Sequence, residues 1–175
     1  MTEKFKKCLQ FTLKWEGGKV DHPADPGGRT AYGITQSAYD TWRKSKKLPP
    51  RDVWNITMDE VHQIYFEKYW TPIKCELLPP PLDLVVFDTG VNCGIGRAAR
   101  WLNTALGLQP LMSVTDQTIK KVKELKGDEV VKVARKVWEL RKQHYETIVQ
   151  RNPKLKVFLR GWMNRINDLR KVTGI

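Results

Sequence analysis

The sequence predicts a mainly α fold with a small β-hairpin near residues 19–35. Apolar residues recur at helical spacing through most of the 175-residue chain. Residues 19–35 are different, because they hold two Asp, two Pro and three Gly, a composition that excludes a helix. Prolines at residues 49–50 and 79–81 mark further breaks. We therefore expect short helices joined by tight turns, around one irregular segment.

The N-terminal elements follow from local signals. A helix is predicted over residues 4–15, where apolar residues repeat every three or four positions, and Gly17 and Gly18 end it. The Asp-Pro-Gly-Gly run at residues 25–28 predicts a turn, and residues 30–35 predict a strand after it.

Helices account for the rest of the chain. Thr35 is placed to cap a helix that runs to about residue 46, and Thr57 begins a capping box before a helix through Trp70. The most apolar stretch, residues 82–93, predicts the central buried helix. Further helices are expected over residues 97–107, about 115–126 and about 127–150, with Pro153 in the first turn of the last helix.

The net charge is +12, and it is unevenly distributed. Residues 120–175 hold 16 basic and 6 acidic residues, a net of +10, whereas residues 1–119 are close to neutral. A basic surface of this kind attracts polyanions: nucleic acid, anionic lipid or an anionic cell envelope. No nucleic-acid-binding motif accompanies the charge, so we do not expect nucleic acid as the partner.

The composition also argues against several classes of protein. No apolar run approaches the roughly 20 residues of a transmembrane helix, and the N-terminus lacks the apolar stretch of a signal peptide. Synthesis in the cytoplasm is therefore expected. The three cysteines form no CxxC pair and the three histidines show no ligand spacing, so we expect neither a metal site nor a cofactor.

The segment Trp15-Glu16-Gly17-Gly18 is the first candidate for chemistry. Glu16 is expected where a helix ends and the backbone turns, beside the apolar neighbours Leu13 and Trp15. Such surroundings desolvate a carboxylic acid and raise its pKa, which suits a general acid. A surface Glu at a helix end is the alternative.

Asp25 and Thr30 follow Glu16 at the spacing E-x8-D-x4-T. An Asp in a polar, turn-rich loop stays ionised, whereas a Glu beside aromatic rings is protonated more readily. Two carboxyl groups in such different environments are typical of glycoside cleavage, with Thr30 holding a water or orienting the Asp. A plain Asp-Pro-Gly-Gly turn also explains Asp25 without catalysis.

Residues 16–35 (EGGKVDHPADPGGRTAYGIT) resemble the opening motif of the glycoside hydrolase family 108 lysozymes, roughly EGGYxNxPxDPGGxTxxGIT. These are phage and bacterial N-acetylmuramidases, some once labelled secretion activators. Residues 87–94 (FDTGVNCG) resemble the family's FDxxVNxG helix, and residues 161–165 (GWMNR) its GWxNR signature. The resemblance thus extends over nearly the whole chain.

The sequence departs from the family pattern at a few positions. Lys19 stands where the family usually has Tyr, and Asp21 where it often has Asn. The gap from Asp25 to Thr30 is one residue shorter than in the similar phage-type lysozymes of family 24. Residues 111–116 replace the usual Asp-Gly turn of the family's peptidoglycan-binding-like part.

The resemblance implies a lysozyme-like helical fold, with a catalytic part over residues 1–107 and a basic, peptidoglycan-binding-like part over residues 108–175 packed on it. It implies hydrolysis of the β-1,4 bond between N-acetylmuramic acid and N-acetylglucosamine in peptidoglycan. Glu16 would protonate the leaving oxygen. Asp25, helped by Thr30, would stabilise the oxocarbenium-like transition state or orient the water. Inversion and retention both stay open.

Three further residues are candidates for sugar binding: Tyr32, Trp70 and Asn92. Sugar faces stack on aromatic rings, and side-chain amides bond to hydroxyl groups. For Trp70 a core position is at least as well supported. Asp88 lies inside the apolar helix, where an unpaired charge is costly, so we expect it to pair with an arginine.

Two other functions stay open: a lytic transglycosylase, which needs one Glu and no water-orienting Asp, and a non-catalytic wall-binding or secretion-accessory protein. For a lysozyme, the basic C-terminal part would bind anionic envelope polymers. Without a signal peptide, the enzyme would reach the cell wall by holin-type or other release, as phage and prophage endolysins do. We expect a monomer.

Overall fold

The structure, a computed structural model, describes residues 1–21 and 28–175. It is 70% helical, and its short strands form a small antiparallel sheet. The mainly α, lysozyme-like class with a hairpin near residues 19–35 is therefore confirmed.

The regular elements are given in chain order. The α-helices are α1 (Glu3–Glu16), α2 (Gln36–Ser45), α3 (Met58–Tyr65), α4 (Leu82–Cys93), α5 (Ile95–Ala105), α6 (Asp116–Lys123), α7 (Glu129–Arg151) and α8 (Lys156–Thr173). The strands are β1 (Lys19–Asp21), β2 (Arg29–Ala31) and β3 (Ile34–Thr35). Short 3₁₀ turns lie at Val53–Asn55, Cys75–Leu77 and Pro153–Leu155, and a π-helical turn at Phe66–Trp70 continues α3.

The chain forms two compact units, Met1–Lys68 and Tyr69–Ile175. Helices α4 and α5 belong to the second unit because both pack against α7. The predicted catalytic part, residues 1–107, and the predicted basic part, residues 108–175, meet at a different position from these two units. Their separate roles stay a prediction. Among the described residues, no helix combines the length and apolar character that a bilayer span requires.

In the first unit, α1 packs on α3 through a buried face that includes Phe5 and Leu9. The hydroxyl of Thr2 accepts a hydrogen bond from the Phe5 N–H and caps the helix at its start. The ring of Phe5 meets that of Phe66 edge to face, with centroids 5.1 Å apart. These contacts give α1 a fixed axis, so the residue at its C-terminal end has a defined position.

The sheet follows α1 directly. Strands β1 and β2 pair antiparallel with Val20 opposite Thr30, and β2 pairs with β3 so that Thr30 also faces Thr35. The single strand predicted over residues 30–35 is wrong, because residues 32 and 33 form a tight turn that divides it into β2 and β3. The Thr35 hydroxyl accepts from the Ala38 N–H and caps α2, as predicted.

In the second unit, α4 is the central buried helix, as predicted. Val85, Val86 and Phe87 are completely buried, and α5, α7 and α8 all pack against α4. Pro153 differs from its prediction, since it begins a separate 3₁₀ turn just before α8.

Candidate active site

Glu16 is the last residue of α1 and is half-buried. The next residue, Gly17, has φ +79°, a positive value that ends the helix and that glycine adopts without strain. The expected position of Glu16, where a helix ends and the backbone turns, is therefore confirmed. Because α1 is packed along its length, this carboxylate is presented by a rigid element.

The turn between β2 and β3 lies against this carboxylate. Its central residues, Tyr32 and Gly33, have φ values of +52° and +76°, as in two-residue hairpin turns of type I′. A Cβ atom on Gly33 would lie only 2.7 Å from Oε2 of Glu16 and 2.7 Å from the hydroxyl oxygen of Tyr65. The carboxylate and the phenol thus lie side by side over the bare backbone of Gly33.

Tyr65 holds this turn in place from α3. Its side chain is 2% exposed, and its hydroxyl donates to the carbonyl oxygen of Tyr32 at 2.6 Å. A buried tyrosine hydroxyl needs such a partner, so the bond fixes both the ring and the turn. Sequence reasoning assigns Tyr65 only to the apolar face of its helix, because no local motif marks its hydroxyl.

We expect Gly33→Ala to lower the rate of glycan cleavage roughly ten- to a hundredfold, because the new methyl group must displace Glu16 or Tyr65. The left-handed backbone adds a cost in folding free energy of about 1–2 kcal/mol. Gly18→Ala is the matched control, since a Cβ atom there meets nothing within 4 Å. Clearing of purified peptidoglycan and thermal unfolding would be measured together. Equal rates for the two variants would contradict this prediction.

Of the other predicted catalytic residues, the structure describes Thr30. Thr30 is at the centre of β2 and half-buried, with paired residues on both neighbouring strands. Asp25 lies outside the described residues. Thr30 keeps its predicted role as a proposal, since the strand that carries it leads directly into the turn against Glu16.

Tyr32 contributes its backbone to this arrangement. Its N–H donates to the carbonyl oxygen of Gly18 at 3.3 Å, while its own carbonyl accepts from Tyr65. The side chain is half-buried. The structure therefore adds a positioning role for Tyr32, and its predicted contact with sugar stays a prediction.

Arg29 fixes the strand ends on either side of the segment that contains Asp25. Its guanidinium pairs with Asp52 and lies 3.8 Å from the carboxylate of Asp21, the last residue of β1. It also covers the ring of Trp54, with 4.1 Å between the guanidinium carbon and the ring centroid. One cation thus holds the end of β1 and the start of β2 together.

Asp88 forms the centre of a buried ionic network in the second unit. It is completely buried and accepts hydrogen bonds of 2.8 Å from Arg141 on α7 and 2.8 Å from Arg165 on α8. Burial by itself would raise the pKa of Asp88, but the two guanidinium groups outweigh it and lower the pKa to about 2. The expected pairing of Asp88 with arginine is confirmed.

Asn92 lies at the edge of this network and is half-buried. Its Oδ1 accepts from Arg141 at 3.2 Å and from the hydroxyl of Tyr145. Burial raises the pKa of Tyr145 well above its usual value, so that hydroxyl stays protonated and can donate. Among the described residues no hydrogen bond to the amide nitrogen of Asn92 is found, and its predicted contact with sugar stays a prediction.

Trp70 is not placed to stack on a sugar. It is 1% exposed, its indole N–H donates to Glu76 at 3.0 Å, and its ring meets Phe87 edge to face at 5.3 Å. A ring buried to this extent offers no face to a ligand. Trp70 is therefore a core residue and not a sugar-binding one, and we leave it out of the proposed site.

Comparison with known proteins gives the class of this chain. Residues 9–94 match the family described as Glycosyl hydrolase 108. The fold is similar to the solved structure of Brucella abortus SagA, with a TM-score of 0.76 and 26% sequence identity over 97% of this chain and 92% of that one. No curated protein matches the sequence. The matched segment contains Glu16 and the turn against it, and residues 9–94 carry the likeness of this chain to glycosyl hydrolase family 108.

Proposed function

We propose that this glycoside hydrolase cleaves peptidoglycan as an N-acetylmuramidase, at the β-1,4 bond between N-acetylmuramic acid and N-acetylglucosamine. The observation that carries the proposal is the carboxylate of Glu16, which lies against the Gly33 turn at the end of a packed helix. A general acid requires such a fixed position within reach of the leaving oxygen.

In this proposal, Glu16 in its protonated form gives its proton to the glycosidic oxygen as the bond from that oxygen to the anomeric carbon breaks. The departing sugar leaves as an alcohol, and positive charge develops on the anomeric carbon and the ring oxygen. Asp25 stabilises this charge or orients the incoming water, helped by Thr30. Water then adds to the anomeric carbon and gives its proton to a carboxylate, which completes hydrolysis.

Two residues are proposed to bind the glycan. Asn92 would donate its amide N–H groups to a sugar oxygen, because Arg141 and Tyr145 already occupy its Oδ1. Tyr32 would offer its half-buried ring.

The basic C-terminal part would attract anionic envelope polymers. Residues 120–175 carry a net charge of +10, with 16 basic and 6 acidic residues. Attraction of this kind weakens with salt, since the Debye length falls to about 8 Å at physiological ionic strength. We propose that the protein acts on the cell wall after holin-type or other release.

The identity of the new chain ends tests the bond assignment. Purified sacculi are digested, the soluble fragments are reduced with borohydride, and the products are identified by mass spectrometry. N-acetylmuramitol ends are expected. N-acetylglucosaminitol ends would assign a glucosaminidase instead, and anhydro-muramic ends a lytic transglycosylase. Binding to sacculi by the folded protein without soluble fragments would leave a non-catalytic wall-binding protein.

A further inference from the structure

The corner between α7 and α8 combines exposed apolar side chains with concentrated positive charge. We define it as residues 151–160 (RNPKLKVFLR), which include four basic and no acidic residues. None of these ten residues is buried. Val157 is 78% exposed and Phe158 54% exposed, so two adjacent apolar side chains of the corner face solvent.

The corner is held rigidly despite its exposure. Phe158 stacks on Trp162 one helical turn later, with ring centroids 6.0 Å apart, and Trp162 stacks on Tyr145 of α7 at 5.1 Å. Farther along α8, Ile166 and Leu169 are completely buried. The apolar pair is therefore presented by a packed helix and loses little conformational entropy when it meets a partner.

We propose that this corner docks on the surface of a phospholipid bilayer that contains anionic lipid. Exposed apolar residues on a basic surface can insert at the boundary between headgroups and acyl chains. The surrounding cations, Arg151, Lys154, Lys156 and Arg160, complement the negative charge of the headgroups. A purely polyanionic partner would use these cations but would gain nothing from Val157 and Phe158.

A second exposed apolar pair in the same unit lacks this combination. Leu111 is 51% exposed and Met112 64% exposed, but residues 105–119 contain no basic residue. Exposed apolar side chains and basic residues thus occur together at the corner but not at this loop. Attachment of this corner to a bilayer is independent of the proposed muramidase activity.

The full-length protein would be sedimented with vesicles of phosphatidylcholine alone and of phosphatidylcholine mixed with phosphatidylglycerol. We expect binding to the mixed vesicles only. Val157→Ser/Phe158→Ser is expected to weaken binding about tenfold or more, because the apolar insertion is lost. Lys154→Gln/Lys156→Gln is expected to weaken it about 25-fold, at roughly fivefold for each cation removed.

Lys171→Gln/Val172→Ser is the matched control. It removes a cation and a 59% exposed valine from the other end of α8, about 22 Å along the helix axis. Its binding should stay within about twofold of the wild type, since this end lies more than a Debye length from the corner. Val157→Ser alone preserves the Phe158–Trp162 stack and gives a second test of insertion if the double variant unfolds.

Two results would overturn the proposal. One is failure of the folded wild type to bind vesicles that contain phosphatidylglycerol. The other is vesicle binding that is unchanged in Val157→Ser and in Val157→Ser/Phe158→Ser but is lost in Lys154→Gln/Lys156→Gln. That pattern would make the corner a general polyanion surface, suited to anionic wall polymers.

Discussion

Replacement of Glu16 by glutamine is expected to lower the rate of peptidoglycan cleavage by about 10²–10⁴-fold, the usual contribution of a general acid. Glutamine keeps the size and planarity of the side chain but has no acidic proton to give to the leaving oxygen. Because Glu16 is half-buried at the end of a packed helix, the isosteric change should leave α1 and the Gly33 turn in place.

The measurement is the initial rate at which soluble fragments appear from purified sacculi, with the melting temperature of each protein recorded beside it. Glu3→Gln is the matched control, since Glu3 lies at the opposite end of α1 with an 80% exposed side chain. We expect the control to match the wild type in rate. A Glu16→Gln variant that keeps its melting temperature and cleaves within about twofold of the wild type would remove Glu16 from the chemistry.

Replacement of Asp88 by asparagine is expected to lower the free energy of unfolding by about 3–5 kcal/mol, because two buried guanidinium groups lose their counter-charge. Arg141 and Arg165 each donate to Asp88 at 2.8 Å, and Asp88 has no exposed surface. The network joins α4, α7 and α8, so its loss should loosen the whole second unit.

Urea unfolding of the variant and the wild type between pH 2 and pH 7 tests this account. The folded pKa of Asp88, about 2, lies below the unfolded value of about 3.9. The wild type should therefore have its full ionic stabilisation above about pH 4 and lose it as the pH falls towards 2, whereas Asp88→Asn should show a flatter profile. Asp128→Asn, which removes an exposed carboxylate paired with Lys132, should leave the free energy of unfolding almost unchanged. An equally small cost for Asp88→Asn would contradict the buried network.

Features that depend on neighbouring residues in the chain could be predicted from the sequence. Thr57 forms the expected capping box with Glu60, and Gly17 ends α1. These signals operate within a single helical turn, since a cap and its partner are three residues apart. The position of Glu16 at a helix end followed from the same local signals.

Features that depend on distant residues could not be predicted. The sequence required a partner for the buried Asp88, but Arg141 and Arg165 lie 53 and 77 residues away, and no local signal in either helix identifies its arginine as that partner. The contact of Tyr65 with the carbonyl of Tyr32 spans 33 residues. Only packing of whole elements brings such pairs together.

At two places where the local sequence is compatible with more than one structure, tertiary contacts determine which structure forms. The residues from Thr30 to Thr35 favour a strand by composition, but a hydrogen bond from Tyr65 and the lack of a side chain at Gly33 allow a turn with two positive φ values. The pattern around Trp70 fits both a core and a sugar-binding position. Its contacts with Glu76 and Phe87 decide for the core.

Digestion of sacculi in water enriched in ¹⁸O tests the central claim, that Glu16 serves hydrolysis of the glycan, most directly. Hydrolysis at the muramic acid must place one heavy oxygen atom on each new N-acetylmuramic reducing end, and mass spectrometry counts these ends. We expect labelled muramic ends with the wild type and none above background with Glu16→Gln. Unlabelled anhydro ends from the wild type, or labelled ends in equal amount from Glu16→Gln, would contradict it.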